Sequence, residues 1–213
     1  MTALPDPGQL LTIADYIALG EDDERCRREL QEGVLTISPS PTPRHSVASN
    51  RLFALVEAQL PADLAVVTDV DLDLQLVPED GPATVRRPDL AIVDDAEYER
   101  VDAEGGILRA SAAHLVVEIV SPGSRRTDYI MKRSEYADAG IPHYWIIDMS
   151  PPLSLLAFRL IDELGYVDEG EVTDVFTTTS PCPLTIQLDR LLRHQRVTVE
   201  PTASSGIPPR PQA

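Results

Sequence analysis

The sequence predicts a single α/β domain with helices packed on a sheet, and three observations carry that prediction. Residues 115–148, LVVEIVSPGSRRTDYIMKRSEYADAGIPHYWIID, read as an apolar strand, a turn, a helix and a second apolar strand. In VDLDLQLVP, Val70, Leu72, Leu74 and Leu76 alternate with Asp71, Asp73 and Gln75, the period of a strand with one buried and one wet face. Finally, 213 residues with 43% hydrophobic and 25% charged side chains are globular and long enough to bury a substantial core.

In chain order, Thr12 and Asp15 form a capping-box pattern, predicting a short helix from Ile13 to Leu19 that closes at Gly20. An acidic loop follows, and RCRRELQEGVLTISP predicts two short strands around Gly33. Leu52, Leu55, Val56 and Leu60 keep helical spacing over residues 46–60, and Pro61 ends the run. LAVVTD and VDLDLQLVP are expected as strands, PEDGPATVRR as a loop, and PDLAIVD as a short buried strand. Residues 94–110 are polar and Gly-containing and are expected as a connection or insertion. Beyond the central stretch, LSLLAFRL and GYVDEG are expected as strands and LTIQLDRLL as a last element. The domain is expected over residues 1–200, with 201–213, rich in Pro and Ser, as a disordered tail. No repeat or second domain is visible.

Composition excludes several classes. No apolar run approaches the roughly 18–20 residues of a membrane span, and the N-terminus lacks a basic leader, so a cytoplasmic protein is expected. Cys26 and Cys182 form neither a CxxC nor a Cys/His cluster, so neither disulfides nor structural zinc are expected. The net charge of -17 argues against a broad nucleic-acid surface, although a local basic strip can act within a Debye length of about 8 Å. GxGxxG, Walker, HExxH and GxSxG signatures are absent.

Three residues carry a chemical signal. Glu118 is the one charge among Val116, Val117, Ile119 and Val120; buried alone, a carboxylate costs several kcal/mol, so it calls for a partner, a metal or a raised pKa. Lys132 is the only lysine among the eighteen Lys and Arg residues, so a titratable point charge in place of a planar fork is one reading of this position. The bland alternatives are chance, or an i,i+4 pair with Asp128. Asp89 starts the PDLAIVD strand. Two hard carboxylates on neighbouring strands suit Mg²⁺, which leaves positions for water and phosphate, and a lysine nearby can orient or deprotonate the attacking water. On sequence alone Glu29 reads as a solvated charge beside Arg27 and Arg28, and His45 as a helix cap or surface residue. Arg125, Arg126 and Arg133 could form a phosphate-binding strip or a solvated turn, while Tyr136 and Trp145 read as core aromatics.

At these positions the chain resembles the PD-(D/E)XK nuclease superfamily, and more closely the Uma-type restriction-endonuclease family. The matching pieces are Glu29 in RRELQEGVL, His45 before a helix, Pro88 and Asp89 in PDLAIV, Glu118 in VVEIVSPGS, then Asp128, Lys132, Tyr136 and AGIPHYWIID. The superfamily usually places its lysine two residues after the acid, here Val120; the Uma-type pattern takes it from the following helix, which Lys132 fits. The resemblance implies a restriction-endonuclease-like mixed sheet flanked by helices. It also implies Mg²⁺ or Mn²⁺ held by Asp89, Glu118 and the Ile119 carbonyl, Lys132 on the attacking water, and accessory roles for Glu29 and His45; substrate contact by Arg125 and Arg126 is expected from their place just before the helix. The expected activity is hydrolysis of nucleic-acid phosphodiesters, with DNA the expected substrate; the alternative is a binding or regulatory module that kept the fold without turnover. A homodimer would present two sites to two strands, by analogy alone.

Overall fold

The structure is a computed structural model that describes residues 8–20, 26–121 and 123–192; the expected acidic loop at 21–25, Pro122 and the expected C-terminal tail lie outside the described residues. Helix α1 (Ile13–Ala18) starts at Thr12 with the full reciprocal capping box to Asp15. Strands β1 (Cys26–Gln31) and β2 (Val34–Pro39) pair antiparallel about Gly33, whose φ of +77° and close approach to Leu10 and Pro82 exclude a side chain. Helix α2 (Pro43–Glu57) begins three residues before its expected start, because Thr42 caps it and Pro43 supplies a preset first turn.

Strands β3 (Leu64–Val67), β4 (Leu72–Asp73), β5 (Val85–Arg86) and β6 (Leu90–Asp94) follow. The alternating segment VDLDLQLVP contributes only the two residues of β4, since Asp69 and Gln75 adopt left-handed φ of 56° and 54° and break the ladder on either side. Two further expectations are corrected here. The expected loop at 78–87 contains β5, and the expected connection at 94–110 contains helix α3 (Asp95–Glu104) and strand β7 (Leu108–Arg109).

The central stretch forms as expected: β8 (Ala113–Val120), a π-helical turn over Thr127–Lys132 continuing into α4 (Arg133–Asp138), and β9 (His143–Asp148) parallel to β8. Strands β10 (Ser154–Ile161), β11 (Gly165–Val172), β12 (Val175–Thr178) and β13 (Leu184–Gln187) and helix α5 (Asp189–Leu192) complete the described chain.

Two main sheets result. One is β2-β1-β5-β4-β7; the other, of mixed direction, is β11-β10-β9-β8-β6-β3, and β12 pairs with β13 alone. Alternation along β8 sends Leu115, Val117 and Ile119 into a core with Leu52 and Val56 of α2. Val116 and Val120 enter a second core on the opposite face with Tyr136 and Tyr144, and Glu118 shares their parity. An acidic side chain is thereby delivered to the side of the sheet covered by the π-turn and α4. No helix among the described residues is long and apolar enough to cross a membrane.

Candidate active site

A cleft of about 400 Å³ opens where the ends of the two main sheets meet. Period two along β1 puts Arg27 and Glu29 on one side of that strand, and both line the cleft while Leu30 enters a core. The mixed sheet contributes Asp89, Glu118 and Ile119; the start of α2 brings Thr42 and His45; the π-turn brings Lys132. All five residues expected in a catalytic role therefore share one cavity. A π-turn widens a helix by one residue and is frequent at functional sites; this one turns both Asp128 and Lys132 inward, where they are buried.

Asp89 is held by three donors. Its Oδ1 accepts from Arg27 Nη1 at 3.0 Å, and its Oδ2 accepts from the Ile119 backbone N–H at 2.7 Å and from His45 Nε2 at 3.0 Å. His45 Nε2 also lies 3.1 Å from the Ile119 carbonyl, so this nitrogen faces two acceptors and carries the hydrogen. The expected capping or surface histidine is thus buried in the site. Burial alone would raise the Asp89 pKa, yet the bond and charge of His45, the Ile119 N–H and Arg27 hold it below its ordinary value. For His45 the balance runs the other way: burial opposes charge, but Asp89 draws its pKa up.

Lys132, 6% exposed, donates to Glu118 Oε1 at 2.9 Å and pairs with Glu29 Oε1 at 3.0 Å. Burial works against its charge, and Glu118, Glu29 and Asp128 overcome it, raising its pKa above the usual lysine value. Lys132 is therefore a fixed ammonium near neutral pH, unsuited to taking a proton. Glu29 is no solvated charge: its other oxygen accepts from Arg86 Nη1 at 3.1 Å, and Oε1 also accepts the Arg87 backbone N–H at 3.0 Å. Arg86, 2% exposed, forks onto Glu135 at 2.7 and 2.6 Å. Tyr136, a core aromatic as expected, also donates its hydroxyl to Glu118 Oε1 at 2.7 Å. A circuit results, Glu135–Arg86–Glu29–Lys132–Glu118–Tyr136, whose ends are consecutive residues of α4.

Glu118 is the uncompensated member. Burial foremost, then repulsion from Asp128, Asp89 and Glu29, outweighs Lys132 and pushes its pKa up to about 8. Since Oε1 accepts from both Lys132 and Tyr136, the proton belongs on Oε2, which receives no hydrogen bond among the described residues. A carboxyl whose folded pKa lies above its unfolded value of 4.5 contributes stability that is full below 4.5 and lost as pH rises toward 8. Glu118→Gln removes that loss, so without metal the variant gains on the parent between these limits by on the order of 4 kcal/mol. Urea denaturation at pH 5 and pH 8 measures it; a gap between variant and parent that is the same at both pH values would refute the raised pKa.

Whether these residues fit a divalent cation follows from the donors. Asp89 Oδ2 and the Ile119 carbonyl converge on one atom of His45, and among the described residues neither Glu118 Oε2 nor the buried Asp128 Oδ2 has a hydrogen-bond partner. Around Lys132 the surplus of carboxylates is negative, as the raised Glu118 pKa reports. Among the described residues no three or more His, Cys, Asp or Glu side chains form a closed metal cage. Mg²⁺ needs none, because it binds through one or two carboxylates and keeps several waters. The site fits such a cation.

Arg125 and Arg126 stand apart from the cleft lining. Arg125 binds the Asp148 carboxylate and lies 4.8 Å over the Tyr129 ring, while Arg133 donates to the Tyr166 carbonyl and covers Phe158. The arginines that do reach the site, Arg27, Arg86 and Arg87, carried only a weak sequence signal: each lies within three residues of Glu29 or Asp89.

Comparisons with known proteins give the family and the fold. None of the functionally curated proteins matches the chain. A crystal structure of a putative nuclease belonging to DUF820 from Anabaena variabilis ATCC 29413 matches with a TM-score of 0.61 at 17% identity, covering 85% of this chain and 97% of that one, and it shares the fold. The family model for Uma2, described as putative restriction endonuclease, matches residues 13–188, and the chain belongs to that family.

Proposed function

We propose that the protein is a Mg²⁺- or Mn²⁺-dependent nuclease that hydrolyses phosphodiester bonds of nucleic acid, DNA being the expected substrate. One observation carries this reading: Asp89, Glu118, the Ile119 carbonyl and the Lys132 ammonium, brought from two strands and a helix, line a single cleft. Asp89, Glu118 and Ile119 would hold the cation, which supplies an activated water and neutralises phosphoryl charge when bound. The chain's own residues do the rest. Lys132 offers a permanent positive charge to the phosphate and holds the Glu118 carboxylate in place. Arg27 and His45 fix both Asp89 oxygens, and Arg86 fixes Glu29 against Lys132.

Turnover tests the reading: purified protein with Mg²⁺ or Mn²⁺ is expected to cleave at least one of single-stranded DNA, duplex DNA and RNA, and Asp89→Asn is expected not to. Nucleic-acid binding with no cleavage of any of the three would move the assignment to a binding module.

Metal binding has a signature independent of turnover. Because burial and the neighbouring carboxylates raise the Glu118 pKa to about 8, a cation bound through it is expected to displace a proton near pH 7. Calorimetric titration of Mn²⁺ is expected to show an enthalpy that varies with the ionisation enthalpy of the buffer, corresponding to about one proton released. Glu118→Gln is expected to abolish the buffer dependence along with most of the affinity. A buffer-independent enthalpy in the parent would remove Glu118 from the ligand set.

A further inference from the structure

The cleft has a neighbour. A second cavity, of about 610 Å³, lies on the other side of Arg87, which borders both. Arg27 is a second bridge, pairing through Nη1 with Asp89 in the cleft and through Nε with Asp69 of the second cavity at 2.9 Å. Two arginine side chains therefore stand between the cleft and this cavity.

Its lining is built for a flat, partly polar group. Val67, Val70, Ile107 and Leu108 supply apolar walls. Helix α3 presents Tyr98 and Asp102, four residues apart and so on one helical face, with Val101 between them; all three line the cavity. Tyr98 is 44% exposed, and Asp102 is an exposed carboxylate with no ion pair among the described residues. Asp69 at the rim holds a left-handed φ of 56°, a conformation that costs energy in a non-glycine residue. An aromatic face beside a carboxylate acceptor is the chemistry that recognises a nucleobase carrying an exocyclic amino group, since carboxylates accept from such groups and aromatic rings stack on any base. With a net charge of -17, phosphate contacts alone give the protein a weak grip on nucleic acid, which leaves recognition to the bases.

We propose that the cavity lined by Tyr98, Val101 and Asp102 is a nucleobase subsite that takes an amino-bearing base, adenine, cytosine or guanine, from a single-stranded or extruded nucleotide next to the scissile phosphate. The base stacks on Tyr98 and donates its amino group to Asp102. A base still paired in a duplex cannot enter, so the substrate is locally unpaired. The neighbouring scissile phosphate rests on the nuclease reading; binding of the base does not.

The test therefore uses free nucleosides, which contain no phosphodiester, and the intact protein. Two-dimensional amide NMR is run with adenosine, cytidine and uridine on the parent, Tyr98→Ala and Asp102→Asn. Expected are shifts at residues 98–108 and an affinity for adenosine and cytidine about tenfold or more above that for uridine, the size of one hydrogen bond to a charged acceptor. Asp102→Asn is expected to bring uridine within about twofold of the others, and Tyr98→Ala to weaken all three. Both positions are exposed on α3, and unchanged amide spectra elsewhere establish that the variants are folded. No binding at millimolar nucleoside, equal binding of uridine in the parent, or shifts confined to the cleft would each overturn the subsite. Nucleoside binding as expected in a protein that cleaves nothing would instead overturn the nuclease reading and leave the base subsite standing.

Discussion

Replacing Lys132 by alanine is expected to lower cleavage by at least about a hundredfold, the scale on which a preorganised charge at a reacting centre acts. Loss should fall on kcat and kcat/KM alike with little change in KM, since an interaction made chiefly in the transition state has that kinetic form. The variant chosen for comparison is Lys132→Arg. A lysine serving as base is not replaced by arginine, whose pKa is too high, whereas a lysine serving as a fixed cation is replaced in part. The site favours the second outcome, because Glu118, Glu29 and Asp128 together hold the ammonium charged. The rescue is expected to stay partial, as the wider guanidinium must enter a slot that leaves lysine 6% exposed. A lysine moved to Val120 in the Lys132→Ala background reaches the same side of the sheet as Glu118, and some cleavage is expected to return. Equal rates for the parent and Lys132→Ala would take Lys132 out of the reaction.

The parts of this site that were legible in the sequence are those whose signal is local. Glu118 stands out because its neighbours on either side are apolar, and Lys132 because every other basic residue is arginine. Glu29 was legible only through family resemblance: its partner Arg86 lies 57 residues away, and the adjacent Arg27 and Arg28 supply a plausible solvated setting that the fold does not use. Helix α3 was missed for a related reason. Its buried residue is Glu97, gripped by Arg100 and Arg109, so the packed side of the helix is charged and leaves no apolar period to read. In VDLDLQLVP the alternation is real, and Leu72 and Leu74 are both buried, but the backbone sets the length of the strand. Gln75 turns left-handed and its side chain accepts the Ser111 N–H at 3.1 Å, ending the strand that the pattern would extend. Periodicity reports which faces are buried; it does not report where φ changes sign.

Arg86→Met is expected to be the most destabilising single change near the site, at about 3 kcal/mol. Methionine keeps much of the volume of the arginine stem, so packing loss is small and the cost lies in two carboxylates left without their cation. Breaking a buried ion pair from one side typically costs about 3–5 kcal/mol, and the lower end applies because Glu29 and Glu135 keep 13% and 16% of their side-chain surface in contact with water. Two controls separate this from a general packing defect. Adding Glu135→Gln to Arg86→Met removes one stranded charge and is expected to recover a third or more of the loss, which a packing defect would not. The loss also depends on pH. Burial would raise the Glu29 pKa, but Lys132 and Arg86 hold it below 4.5, so its contribution is present above that value and lost as pH falls. Without Arg86 the penalty is therefore greatest near pH 7 and shrinks in acid, where Glu29 takes up a proton and no longer needs the cation. Urea denaturation of the three proteins at pH 7 and pH 4 reads both effects, and a loss under about 1 kcal/mol at pH 7 would mean that Glu29 is held against Lys132 without Arg86.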